Sequence, residues 1–267
     1  MPSSTLAILG CGNMAAAIVS GVPAAARPFT FVMLDVDSAK ATALAAQVGG
    51  RAVASYADLP ACDAYLLACK PQQFPDLARA LAPRLTPTSL VLSIMTGIST
   101  AKIHAALPQA HHIVRIMPNT PCLVNAGVSG IFFQPHIDAT TRQLVLALFA
   151  PISAVFTFND EATLDVVTAA TGSGPAYVFE IADAMIEATV AMGIDAVTAA
   201  AMIKQLFFGA SCLMMESENS PALLRNNVTS AGGTTAAALD VLSAHKFRAI
   251  FAQAMQAAKE RSEALGK

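Results

Sequence analysis

Clusters of Lys and Arg are missing from this chain. Its basic residues stand singly, and with a formal net charge of −2 there is no electrostatic footing for nucleic acid. The five cysteines (Cys11, Cys62, Cys69, Cys122 and Cys212) are odd in number and contain no C-x-x-C pair, which argues against a disulfide framework and for reduced thiols that pack rather than react. No H-E-x-x-H or comparable spacing occurs among His104, His111, His112, His136 and His245. Glu180, Asp183 and Glu187 share a helix face without histidine partners and read as a solvated stripe, so no metal is expected. Tryptophan is absent, and only 13% of residues are charged against 55% hydrophobic. That is more apolar surface than a monomer hides, and it predicts an oligomer with a helix-to-helix interface. Glu180, Asp183, Glu187, Asp195 and Lys204 interrupt the apolar stretches, so no membrane span and no membrane partner are expected. Met1-Pro2-Ser3-Ser4 lacks a basic leader region, and a cytoplasmic location is expected.

What is present begins at Thr5-Leu6-Ala7-Ile8-Leu9, a short apolar run that reads as a buried strand and leads into Gly10-Cys11-Gly12-Asn13-Met14-Ala15 and an Ala-rich helix. Strand, G-x-G-x-x-A and helix together form a dinucleotide-binding fingerprint. Gly10 permits the tight turn, Gly12 lets the backbone approach a pyrophosphate, and Ala15 allows helix and strand to pack closely. Near the other end, Arg225-Asn226-Asn227-Val228-Thr229-Ser230-Ala231-Gly232-Gly233-Thr234-Thr235 precedes the apolar run from Ala236 to Leu242. A helix starting there aims backbone N–H groups and hydroxyls at one spot, which suits a small carboxylate. A plain helix start reads equally well from that segment alone. Cofactor first and carboxylate later suggests a dehydrogenase or reductase.

The expected fold class is α/β: an N-terminal Rossmann doubly wound sheet in residues 1–160, then an all-α region in residues 161–267. Strands are predicted at Thr5 to Leu9, Phe29 to Leu34, Arg51 to Ala54, Tyr65 to Ala68, Leu90 to Ile94, His112 to Ile116, Val128 to Phe133 and Val155 to Phe158, the last two antiparallel. Helices are predicted near Asn13 to Gly21, Ser38 to Val48, Pro75 to Ala82, Ser99 to Ala106 and Asp138 to Phe149. Beyond Glu161 the windows are helical in period. Their breaks are expected at Gly172-Ser173-Gly174-Pro175, Gly193-Ile194-Asp195, Asn219-Ser220-Pro221 and Gly232-Gly233.

Asp35 ends the second strand, where a dinucleotide fold places the acid that meets an adenosine ribose 2′-OH; this favours NAD, although Asp37 is close by and the loop can turn either carboxylate to solvent. Ala68-Cys69-Lys70-Pro71 and Ser93-Ile94-Met95-Thr96-Gly97 end the fourth and fifth strands, where open α/β sheets bind ligands. Lys70 is expected near the phosphates or ribose, and Met95, Thr96 and Gly97 near the nicotinamide. Pro118-Asn119-Thr120-Pro121 is a rigid loop suited either to positioning a nicotinamide amide or to a plain turn.

Taken in order, these segments resemble the pyrroline-5-carboxylate reductase family. The segments Thr171-Gly172-Ser173-Gly174-Pro175-Ala176-Tyr177 and Val228 to Thr235 carry most of the likeness. The resemblance implies reduction of a cyclic imine to proline, the last step of proline biosynthesis, with NADP (NADPH) or NAD (NADH). It also implies a helical dimerisation domain that interlocks with its partner's in a homodimer, and assembly into a decamer of five dimers. It assigns the substrate site to Glu161, Ser230, Gly232, Gly233, Thr234 and Thr235, with Thr235 on the ring nitrogen. The cofactor site is expected at Gly10, Cys11, Gly12, Asn13, Met14, Asp35, Ser55, Ala68, Cys69, Lys70, Pro71, Met95, Thr96, Gly97, Pro118 and Asn119, with Asn227 from the helical half of the other subunit. Two departures stand out: Ala231 replaces a common proline, and Val36 replaces an arginine frequent in NADP-preferring members. The rival readings are a β-hydroxyacid dehydrogenase, which needs a cleft lysine that Lys204 does not resemble, and a cofactor-binding regulator without turnover.

Overall fold

The computed structural model describes residues 4–266. Met1, Pro2 and Ser3, part of the segment read as lacking a leader, lie outside the described residues, as does Lys267. In chain order the first elements are β1 (Ser4–Leu9), α1 (Asn13–Gly21), β2 (Phe29–Leu34), α2 (Ser38–Val48), β3 (Arg51–Ala52), β4 (Ala64–Leu67), α3 (Phe74–Leu81), β5 (Leu90–Ser93), α4 (Thr100–Ala106), β6 (His112–Met117), β7 (Gly127–Phe133), α5 (Ala139–Phe149) and β8 (Ser153–Phe158). The sheet order is β3-β2-β1-β4-β5-β6-β7-β8. All pairs are parallel except β6 with β7, so β7 and β8 both run against the rest, as expected. The first six strands have the doubly wound order whose topological switch lies between β1 and β4.

Strand alternation builds two cores, one on each face. Leu6 and Ile8 join Phe31, Met33, Leu66 and Phe149 on one side, while Ala7 and Leu9 join Leu34, Leu67, Leu77 and Ile113 on the other. Side-chain caps set where helices begin: Asp37 accepts from Ala39 N, Ser99 from Lys102 N and Asp138 from Thr141 N. β3 is shorter than predicted because only Val32 and Met33 lie opposite it at the sheet edge.

The remaining helices are α6 (Thr163–Val167), which continues into a π turn over Thr168–Gly172, then α7 (Gly174–Ala191), α8 (Ala196–Glu216), α9 (Pro221–Asn227), α10 (Thr234–Ala244) and α11 (Phe247–Leu265). By packing, the sheet unit extends to Ser173 and takes up the chain again from Ala258, leaving Gly174–Ala257 as a helical unit. The division therefore falls later than residue 160, because Leu164, Thr168 and Ala169 are buried, and Ser262 returns its hydroxyl to Asp165 at 2.6 Å.

The helical unit has little interior of its own. No residue of α7 is buried, and in α8 only Ala199 and Ile203 are. Phe179, Met192, Val197, Phe208 and Met215 are each at least 64% exposed. One expectation is corrected here: α8 has 21 residues and a mean hydropathy of 1.4 over an 18-residue stretch, enough by length and composition to cross a bilayer. A single lysine, Lys204, does not break that run.

Candidate active site

The sheet unit carries a cavity of about 640 Å³ at the C-terminal ends of β1, β2 and β4. Gly10 stands at its floor with φ +103°, and a Cβ there would lie 2.7 Å from the Ala68 carbonyl oxygen, so only glycine fits. Gly12 caps α1 without a side-chain bond, and a Cβ built on it meets nothing within 4 Å. The uncapped first-turn N–H groups of α1 make a seat for an anion beside open space. Of the expected cofactor residues, Gly10, Gly12, Asp35, Ser55, Ala68, Cys69 and Lys70 line this cavity. Val36, noted in the sequence as standing in place of an arginine, lines it too, as do Tyr56, Gln73 and Leu77, which no motif marks.

Asp35 is tied into the glycine turn. Its carboxylate accepts from the Cys11 N–H at 2.6 Å and from the Asp37 N–H at 2.8 Å. The Tyr56 phenol is pushed up to about 12 by burial and then by the negative fields of Cys69 and Asp35, so it is a donor at neutral pH. Burial likewise raises the Cys69 thiol to about 11, and burial with Asp35 raises Cys11 to about 12; both are inert thiols, as read from the sequence. Cys11 is buried and, like Asn13, Met14 and Pro71, lies outside the lining.

The expected nicotinamide residues are placed differently. Met95 is buried, with the Cys69 sulfur 3.6 Å from its own. Gly97 has φ +76°, and the space its Cβ would need is taken by the Ser262 carbonyl oxygen and Leu265, so the returning end of α11 explains this glycine. Pro118 and Asn119 are buried. The Asn119 amide donates to the Thr171 carbonyl at 3.0 Å and accepts from the Val128 N–H at 2.8 Å, tying the loop after β6 to the π turn and β7. Its amide nitrogen and its oxygen are thus both used within the fold, as the plain-turn reading of this loop allows. Thr96 is half-buried.

Glu161, expected at the substrate, is engaged within the sheet unit. One carboxylate oxygen accepts from the Thr100 N–H at 2.7 Å and lies 3.2 Å from Arg115 Nη1, and the other accepts from the Thr100 hydroxyl at 2.7 Å. Arg115 is 3% exposed on β6 and also lies 3.5 Å from Asp165. The network gathers the start of α4, β6, α6 and Ser262 around one buried cation. Sequence spacing had no signal for it.

In the helical unit, the glycine-rich segment forms a turn into α10. Gly232 has φ +69°, and Gly233 is the N-cap, with its N–H on the Ser230 carbonyl at 3.0 Å and no side-chain cap. The first-turn amides of Thr234 and Thr235 are therefore available, next to the hydroxyls of Ser230, Thr234 and Thr235. Asn227 is exposed at the end of α9. Such a turn grips a small anion by its main chain.

The family models that match this chain part at residue 161, ahead of the packing boundary. Residues 161–265 match a family model described as pyrroline-5-carboxylate reductase dimerisation, and residues 5–97 match one described as NADP oxidoreductase, coenzyme F420-dependent. A curated relative, the pyrroline-5-carboxylate reductase of Pseudomonas aeruginosa, is 36% identical across 100% of this chain and 98% of its own length. A solved pyrroline-5-carboxylate reductase from Coxiella burnetii is 32% identical, covers 99% of both chains and superposes with a TM-score of 0.88. A Plasmodium falciparum pyrroline carboxylate reductase solved with NADP bound is 26% identical, covers 100% of both chains and has a TM-score of 0.86.

Proposed function

The chain belongs to the pyrroline-5-carboxylate reductase family, and from that premise we propose that it reduces the cyclic imine (S)-1-pyrroline-5-carboxylate to L-proline, with a hydride from NADPH or NADH. The observation that carries the reading is the cavity over Gly10 and Gly12 at the switch point of a chain similar, end to end, to reductases of this name.

Bound nicotinamide supplies the hydride that the imine carbon receives, and the protein's part is to hold the two partners in register. The first-turn amides of α1 seat the pyrophosphate, and Lys70 adds a positive charge beside it. The N–H groups at the start of α10, with the hydroxyls of Ser230 and Thr234, grip the substrate carboxylate and fix which ring face is presented. The Thr235 hydroxyl hydrogen-bonds the ring nitrogen as its positive charge is quenched; the proton arrives with the iminium form of the substrate or from water. Glu161 acts at one remove, by holding the start of α4. Replacing Thr235 with Val lowers turnover roughly 10²-fold if the hydroxyl acts as general acid, and less if it only orients. Wild-type oxidation of cofactor at 340 nm by that variant would remove Thr235 from the mechanism.

The working unit we propose is a homodimer in which the glycine-rich turn and Asn227 of one protomer serve the nucleotide cavity of its partner, with five dimers in a decamer. The apolar side chains of α7 and α8 that stay exposed within the helical unit, Phe179, Val197, Phe208 and Met215 among them, support it. Phe208→Glu places a charge on such a face (Phe208 is 65% exposed) and is expected to yield monomer by analytical ultracentrifugation. A dimer that survived the change would exclude that face. The five free cysteines favour the cytoplasm as its place of work.

A further inference from the structure

We infer that Asp35 makes this chain select NADH over NADPH. The inference rests on the cavity being the dinucleotide site and goes beyond it to the ribose end. The carboxylate is fixed by two backbone N–H groups, from Cys11 at 2.6 Å and Asp37 at 2.8 Å, and swinging it away would leave both donors without their acceptor. Two of its roughly four lone-pair positions remain to accept ribose hydroxyls. A 2′-phosphate would have to enter beside a negative charge that has no room to retreat.

The residues that follow Asp35 offer little to neutralise that phosphate. Val36 is 95% exposed where a cation would stand. Ser55 lines the cavity, but its hydroxyl donates to the Asp58 carboxylate at 2.7 Å, so it has no proton to give a phosphate. Lys40 is the one nearby cation that could meet a 2′-phosphate, and to do so it would have to leave the Asp37 carboxylate 3.5 Å away, an exposed pair that holds it weakly. Of the cavity's two lysines, Lys40 and Lys70, only Lys40 shares the segment after β2 with Asp35, and Asp37 holds it there. The relative solved with NADP is, on this geometry, a poor guide to which coenzyme this chain prefers.

The test is calorimetric binding of NAD+ and NADP+ to the full chain, with 5′-AMP and adenosine 2′,5′-bisphosphate as fragments that carry no redox group. The expected result is NAD+ tighter by about tenfold or more, as a close like-charge pair in a partly solvated site implies, with the gap narrowing at high salt. Asp35→Asn keeps an acceptor for the Cys11 N–H and removes the charge, and it brings the two affinities within about threefold. Val36→Arg, which leaves both Asp35 bonds in place, narrows the gap independently. NADP+ binding as tightly as NAD+ in the wild type, or a ratio unmoved by Asp35→Asn, would overturn the inference. Binding of neither dinucleotide would overturn it together with the cavity assignment. Tight NAD+ binding without turnover of pyrroline-5-carboxylate would sink the proposed reaction and leave this inference standing.

Discussion

Two glycines two residues apart are required for opposite reasons, and alanine at each position separates folding from cofactor binding. At Gly12 a Cβ meets nothing within 4 Å, and φ is an ordinary −76°. Alanine there is a poorer N-cap by about 0.5–1 kcal/mol, offset by about 0.4–1 kcal/mol from a less flexible unfolded chain. The net change in stability is within about 0.5 kcal/mol, a shift too small to move the thermal midpoint by more than about 2 °C. The same methyl occupies the space into which a pyrophosphate must come to reach the amides of α1. Losing even one or two hydrogen bonds to that charged group, at about 1.5–3 kcal/mol each, weakens binding by roughly 10²-fold.

At Gly10 the outcome reverses. With φ +103° and the Ala68 carbonyl oxygen 2.7 Å from the new Cβ, alanine strains the turn and pushes on the end of β4. The backbone strain alone costs about 1–3 kcal/mol, so Gly10→Ala loses both stability and binding. Thermal melts and titration with NAD+ on the two variants decide the matter. A Gly12→Ala protein that binds like wild type would mean that no pyrophosphate rests on α1. A Gly10→Ala protein as stable as wild type would contradict the close approach of β1 and β4.

Arg115→Met strips the cation from Glu161 and Asp165 and is expected to cost about 3 kcal/mol, the low end for a broken buried pair, because Thr100 and Ser262 still bond the two carboxylates. Urea unfolding at fixed protein concentration measures it, and a loss below about 1 kcal/mol would refute the network's weight. The caps Asp138 and Asp195 are held below the usual carboxylate range by the threonine groups they accept from: the Thr141 N–H and then its hydroxyl for Asp138, and the Thr198 hydroxyl and then its N–H for Asp195. Their contribution is complete above the ordinary carboxylate pKa and disappears as pH falls through the lowered one. The Asp138→Asn/Asp195→Asn protein keeps the caps and is expected to lose less thermal stability than wild type between neutral and acid pH; parallel losses would exclude the two caps as acid-sensitive points.

What was legible in the sequence was what is local. The bounds of β2, α1 and α2 follow from apolar runs closed by Gly, Asp and Ser. The turn Gly232-Gly233 into α10 was readable because the donors it presents belong to consecutive residues. By contrast, the break before α11 passes through Lys246 at φ +54°, where no glycine announces it. The π turn over Thr168–Gly172 also has no composition of its own. The roles of Glu161, Asn119 and Gly97 were out of reach for a single reason: each is set by a partner far along the chain. Glu161 answers to Thr100 and Arg115, Asn119 to Thr171, and Gly97 to the end of α11. A side chain of suitable type near the right motif reads as a ligand contact until its hydrogen bonds are counted. With both Glu161 oxygens and both ends of Asn119 engaged within the fold, the groups with donors to spare are the uncapped amides and hydroxyls that open α10, and that is why the proposed carboxylate grip is put there.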